Sequence, residues 1–236
     1  MTDAEIEKAL RRLALPQRPV DPALLERIER SVGGTVTPVK PLPSTWLLAG
    51  QLLFISVLVP VAGAVWAGLD GIAVLLPWQR AIVLGSLALL TGALVHECVV
   101  RWIPGSRPQV SAAGALSGCC AALVLLFAVS FGDYRAEHFV AAGLGCLKQG
   151  VIHAVPAAIL GALVLRRGFA TRPVAAALVG GALAGLTGVA FLELHCSNVE
   201  APHQLVWHAG VVPVSAALGA LIAWLLARTQ QAPLGT

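Results

Sequence analysis

Six long apolar stretches decide most of what this chain can fold into. A membrane-spanning helix needs about 20 largely apolar residues, because each adds about 1.5 Å across a hydrocarbon core of about 30 Å. Six segments meet that requirement: Trp46–Leu69, Arg80–Val100, Gln109–Phe131, Gly150–Leu165, Pro173–His195 and Leu205–Ala227. The fourth is short unless it extends back through Val140–Leu147, which would draw Lys148 inward. Its N-terminal end is therefore expected at the interface, with the Lys148 ammonium reaching to water. In lipid every backbone polar group must be satisfied within the protein, which restricts spanning structure to helices or closed barrels. Lengths near 20 residues select helices. Only 12% of the 236 residues are charged and 57% are hydrophobic. Soluble domains carry about 25% charge, so a water-soluble monomer is excluded. The expected fold is all-α: a bundle of six transmembrane helices behind a short cytoplasmic N-terminal helical segment.

The charges that do occur are unevenly placed. Of 28, 13 lie in residues 1–45, seven basic and six acidic. Basic residues in short flanks are enriched on the cytoplasmic side. With six spans, one side receives the leader, then Arg101 and Arg107, Arg166, Arg167 and Arg172, and Arg228, 13 basic residues in all. The other side receives Arg80, Arg135 and Lys148, which is 3. Both termini are thus expected in the cytoplasm. The charged, proline-broken start does not read as a cleaved signal peptide. Despite the net charge of +4, no basic stripe on a soluble face points to nucleic acid.

The organisation expected is a leader (1–45), a six-helix membrane domain (46–228) and a cytoplasmic tail (229–236). In the leader, Thr2 and Glu5 fit a capping box, followed by Ile6, Ala9, Leu10 and Leu13 at helical spacing. Pro16 and Pro19 end that helix. Asp21-Pro22 starts a second, with Leu24, Leu25, Ile28 and Val32 on its apolar face and Gly33-Gly34 at its end. Two such helices cannot bury a core of their own. Their faces need a partner protein, the lipid headgroups or the inner face of the bundle, and pattern alone does not choose. Near-balanced charge argues against attraction to anionic lipid.

Within the spans, Gly180, Gly181, Ala184, Gly185 and Gly188 form a face of small residues. Such faces let helices approach closely where lipid supplies no hydrophobic drive for association. Pro60, Pro156 and Pro213 are expected to kink or loosen their helices. Cys98, Cys119 and Cys120 fall inside spans and read as apolar packing residues. Cys146 and Cys196 instead flank the fourth and fifth spans on the outer side, where His138, His195 and His203 also lie, with His153 and His208 about one turn inside. Thiolate and imidazole bind zinc and softer metals, and Glu200 adds an oxygen. No local ligand spacing exists, so a metal site, a redox-active or structural cysteine pair, and unpaired interfacial side chains all remain open. Glu97 and Glu193 lie within span ends, close enough to water for structural roles. No nucleophile–base set or phosphate loop appears, and the chain does not read as an enzyme. A small-solute or metal transporter lined by Glu193, His153 and His208, or a membrane scaffold, is the competing possibility.

Read in order, Gly145-Cys146, a span containing Pro156, Arg166-Arg167-Gly168, Thr171-Arg172-Pro173, the Gly/Ala-rich fifth span, Leu194-His195-Cys196 and Trp207 form a distinctive series. It resembles the NrsF-type family of bacterial six-span membrane proteins, regarded as anti-sigma factors for extracytoplasmic-function sigma factors. The resemblance is clearest over residues 143–225. Where the family usually carries an aromatic pair, this chain has Trp207-His208. The resemblance implies an inner-membrane protein whose cytoplasmic N-terminus holds a sigma factor. Cys146 and Cys196 would match the family's two functional cysteines, sensing heavy metals or oxidants. The residues expected to face the partner are Ile6, Leu10, Leu13, Leu24, Leu25 and Ile28. No resident cofactor is implied; a transiently bound heavy-metal ion would draw on Cys146, Cys196, His195 and His203.

Overall fold

The computed structural model describes residues 21–33, 41–136 and 139–231, together with Glu5 and Lys8. The chain divides into two compact units, Met1–Pro41 and Leu42–Thr236. In the first, helix α1 (Pro22–Gly33) begins as Asp21-Pro22 suggests. The Asp21 carboxylate accepts from the Ala23 N–H at 2.9 Å, satisfying one of the free donors at a helix start.

The second unit is a helical bundle. Its elements are α2 (Thr45–Ala67), the short α3 (Asp70–Val74), α4 (Pro77–Trp102), α5 (Ala112–Ser130), α6 (Phe139–Leu165), α7 (Pro173–His195), the single turn α8 (Ala201–His203) and α9 (Val211–Gln231). A π-helical turn, Gln204–His208, joins α8 to α9. Six helical stretches are long and apolar enough to cross a membrane, and their outward side chains are apolar as well, including Phe54, Val57, Leu89, Leu125, Val129 and Leu163. Helices hydrophobic all round belong inside a membrane; this is a multi-pass membrane protein. Trp46 and Trp66 stand 86% and 88% exposed near the two ends of α2. Twenty residues of helix separate them, about 30 Å, which suits anchors at the two interfaces.

The helix ends follow local chemistry. Ser44 and Ser111 cap α2 and α5, their hydroxyls accepting from the N–H groups of Leu47 (3.3 Å) and Gly114 (2.9 Å). Pro77 and Pro173 open α4 and α7, where a missing N–H costs nothing. Helix α2 stops at Gly68, whose φ of +115° strongly favours glycine.

Helix α7 is the centre of the bundle: α2, α4, α5, α6 and α9 all pack on it. Its small residues are what permit this. A Cβ at Gly181 would come within 2.5 Å of the Ser215 carbonyl oxygen, and one at Gly185 within 2.8 Å of the Val212 Cα, both on α9. A Cβ at Gly188 would run into the Gly150 carbonyl oxygen of α6.

Two spans depart from expectation. The fourth is not short: α6 runs for 27 residues from Phe139. Lys148 sits on its exposed side, so the helix continues through it without burying the ammonium in protein. Pro213 falls in the first turn of α9, where no helical hydrogen bond is lost, and it introduces no mid-helix kink. Pro60 and Pro156 do lie inside their helices. Glu97, buried near the end of α4, pairs with Arg101 one turn on, and Arg101 also donates to the Val110 carbonyl at 2.7 Å. That carboxylate is a structural element of the α4–α5 corner.

Candidate functional site

The end of the bundle remote from Thr45 gathers the cysteines and histidines expected on the outer side. Cys146 is carried by the N-terminal third of α6, Cys196 caps the C-terminus of α7, and His203 and His208 come from α8 and the π turn. The Cys146 and Cys196 sulfurs are 3.4 Å apart. The Cys196 sulfur is 3.8 Å from His203 Nε2. One donor atom from each of Cys146, Cys196, His203 and His208 lies within 4.8 Å of every other. The two histidines are buried and the two cysteines half-buried, so the sulfurs are the more accessible part of the cluster.

Local hydrogen bonds hold this corner. The Cys196 N–H returns to the Leu192 carbonyl at 2.7 Å. Asn198 accepts the Glu200 N–H at 2.8 Å through its side chain, and the Gln204 amide donates to its backbone carbonyl at 2.7 Å. The Ala201 N–H donates to the Asp133 carbonyl at 2.6 Å, beside an isolated parallel bridge between Asp133 and Glu200. Hydrogen bonds from Arg135 hold the exposed Asp133 carboxyl below its ordinary pKa. Below α8, Glu193 accepts from His208 Nδ1 at 2.7 Å, and both side chains are sealed from solvent.

The π turn brings His208 into the cluster. In an α-helix, residues five apart point about 140° away from each other. Here the Ala209 N–H reaches back to the Gln204 carbonyl at 3.1 Å, the i to i−5 bond of a π turn. The wider turn sets the His203 and His208 rings 5.1 Å apart, edge to face.

His195 does not join them. It precedes Cys196 in α7 and faces elsewhere: its Nδ1 lies 3.1 Å from the Gly68 carbonyl, and its ring stacks on Phe191 at 5.2 Å. As a ligand candidate it is replaced by His208, since neighbouring residues on a helix end diverge by about 100°. His153 also stacks on Phe191, with ring centroids 3.5 Å apart. Cys98 and Cys119 are buried in the apolar core and Cys120 is half-buried. Of the leader residues expected to meet a partner, Leu24, Leu25 and Ile28 are 43%, 53% and 48% exposed on α1. Ile6, Leu10, Leu13 and His138 lie outside the described residues.

Residues 34–228 match the family model described as NrsF, negative regulator of sigma F. The chain belongs to the NrsF family. The match runs through all six spans, well beyond the stretch 143–225 that carries the sequence resemblance, and it begins after α1. The family's description makes a sigma factor the implied partner and negative regulation the implied activity. Comparison with curated proteins and with solved structures finds no match. Within this NrsF membrane domain, Cys146, Cys196, His203 and His208 form a cluster of metal-ligating side chains among the described residues. A cavity of about 460 Å³ between α2, α6, α7 and α9 is lined by apolar residues such as Leu52, Ile55, Val151 and Leu218. Glu193, His153 and His208 do not line it.

Proposed function

We propose that this protein is an anti-sigma factor of the bacterial inner membrane, with both termini in the cytoplasm. It holds an extracytoplasmic-function sigma factor through its N-terminal segment and releases it when a heavy metal or an oxidant acts on Cys146 and Cys196. The observation that carries this reading is the approach of those two sulfurs to 3.4 Å across 50 residues, in a chain of the NrsF family. The charge distribution supports the orientation, with 13 basic residues on the leader side against 3 opposite. On that orientation the cysteines face the oxidising compartment. The apolar side chains of α1 suit a helix-in-groove contact with a soluble partner.

Regulation of this kind requires two states that signal and partner bind differently. Helix α7 is suited to connect them. It carries Cys196 at one end, and its other end borders the cytoplasmic loops.

The test is co-purification from membranes of cells expressing the tagged full chain. A sigma factor should be recovered with the wild type and lost when residues 1–33 are removed. Cadmium or a thiol oxidant should release it from the wild type but not from Cys146→Ser/Cys196→Ser. Recovery of no sigma factor, or release that is unchanged in the double variant, overturns the reading.

A further inference from the structure

The outer cluster holds more than a cysteine pair requires. Oxidation to a disulfide would use only the two sulfurs and leave three buried polar side chains beside them without a purpose. His208 is the most telling of these. Its Nδ1 is engaged by Glu193 at 2.7 Å, while its Nε2 is buried with no hydrogen-bond partner. A buried polar atom left unpaired costs about 1–3 kcal/mol. An imidazole that donates one N–H to a carboxylate and keeps the other nitrogen free is arranged as metal-ligating histidines are.

We infer that Cys146, Cys196, His203 and His208 form a four-ligand site for one soft or borderline divalent cation of the zinc and cadmium class, with Glu193 as the positioning residue that orients His208. This deepens the proposed function, resting on its assignment of the outer cysteines as the input. The distances suit one ion. Metal–sulfur bonds of about 2.3 Å and metal–nitrogen bonds of about 2.0–2.1 Å set tetrahedral ligand atoms about 3.3–3.8 Å apart. The contacts present are 3.4 Å between the sulfurs and 3.8 Å from Cys196 to His203, and no pair of donors exceeds 4.8 Å. Closing on an ion needs shifts of about 1 Å or less.

Charge and protons also balance. Each thiol gives its proton to water as its sulfur–metal bond forms, and the two thiolates neutralise the dication. His203 and His208 each contribute a neutral nitrogen lone pair, and no electron is transferred. Glu193 keeps the Nδ1 proton on His208 and so leaves Nε2 free to coordinate. A mixed sulfur and nitrogen set favours zinc or cadmium over calcium or magnesium, which take oxygen ligands. The two cysteines are half-buried and the two histidines buried, so the sulfurs would meet the ion first.

The experiment uses the purified full chain in detergent, without any sigma factor. Zinc X-ray absorption on the wild type should report two sulfur and two nitrogen neighbours, at one ion per chain. Cobalt titration should give the visible bands of a tetrahedral site. Glu193→Gln should weaken binding about 10–100-fold while keeping the same cobalt spectrum, a signature that a merely structural role for Glu193 would not give. An all-sulfur or oxygen-dominated shell, or affinity unchanged in His203→Ala and His208→Ala, overturns the proposal. The wild-type spectrum decides the ligand set even where a variant fails to fold. Because binding is read on the chain alone, failure of sigma capture does not affect it.

Discussion

His208 Nδ1 and Glu193 Oε1 meet at 2.7 Å with both side chains sealed from solvent. The pair bridges the π turn and the last turn of α7, 15 residues apart. A His208 ring nitrogen lies within 4.8 Å of both sulfurs, in a buried setting where a carboxylate alone would be expensive. In a low-dielectric interior a carboxylate needs a hydrogen-bonding partner, and the imidazole supplies it.

Removing one partner should therefore cost more than removing both. His208→Leu leaves Glu193 buried without its donor, and loss of a buried partner costs about 3–5 kcal/mol. Glu193→Met combined with His208→Leu should recover most of that loss, since both groups become apolar. Thermal unfolding in detergent measures the difference. A double variant destabilised by the sum of the two single losses would show that the pair is not energetically coupled.

Metal capture by this corner should strengthen with pH. Cys196 lies just past the end of α7, and its hydrogen bond with the Cys146 sulfur, together with burial, holds its thiol above the ordinary thiol range. The thiol is thus protonated at neutral pH, and a metal must displace that proton. Below the thiol range, with two protons released, affinity should rise by up to about 100-fold per pH unit, flattening once both thiols ionise. Chelator competition between pH 6 and 9 measures this slope. A flat profile would mean that thiolates do not bind the ion.

Much of the fold was legible because lipid leaves few choices. The fifth span was expected at Pro173–His195 and α7 occupies those residues, because prolines, arginines and the Gly/Ala face mark both the ends and the interior of that helix. The start of the fourth was not legible, since hydropathy counts Lys148 against a span and says nothing about which side of the helix it faces. In the site, Cys146 and Cys196 stood out by topology alone. His208 had no such signal as a cluster member: an α-helical period turns it away from His203, and only the i to i−5 bonding of residues 204–209 turns it back. The contrast between His195 and His208 was likewise decided by backbone path, which spacing does not encode.

Small residues on α7 should differ sharply in tolerance according to what they touch. At Gly185 an added Cβ would press on the Val212 Cα at 2.8 Å, and backbone cannot swing aside. At Gly180 the nearest neighbour would be the Cys98 sulfur at 3.9 Å, an ordinary contact. Gly185→Leu should separate α7 from α9 and cost several kcal/mol, in the range of about 1–3 or more seen for overpacking. Gly180→Ala should be neutral or slightly stabilising, as glycine is a poor helix former by about 1 kcal/mol. Size-exclusion profiles and melting temperatures in detergent would separate them. Equal tolerance would mean that α7 and α9 are not held at backbone contact.

The position of Cys196 should depend on a residue that touches neither sulfur. Gly71, in α3, packs on the end of α7, and a Cβ there would stand 2.8 Å from both the Cys196 and Glu193 carbonyl oxygens and 2.9 Å from the Cys196 nitrogen. All three atoms are backbone, so Gly71→Ala can be accommodated only by moving α3 or the end of α7 by several tenths of an ångström. Either shift disturbs the segment that sets Cys196 against Cys146. The six long helices contact each other elsewhere, so the bundle should remain folded. Mild oxidation of the wild type should join Cys146 to Cys196 readily, because sulfurs 3.4 Å apart need only a small approach to reach bonding distance. In Gly71→Ala the same cross-link should form several-fold more slowly, read by mobility shift of the alkylated chain. An unchanged rate, with the fold intact, would mean that α3 does not set the register of Cys196 against Cys146.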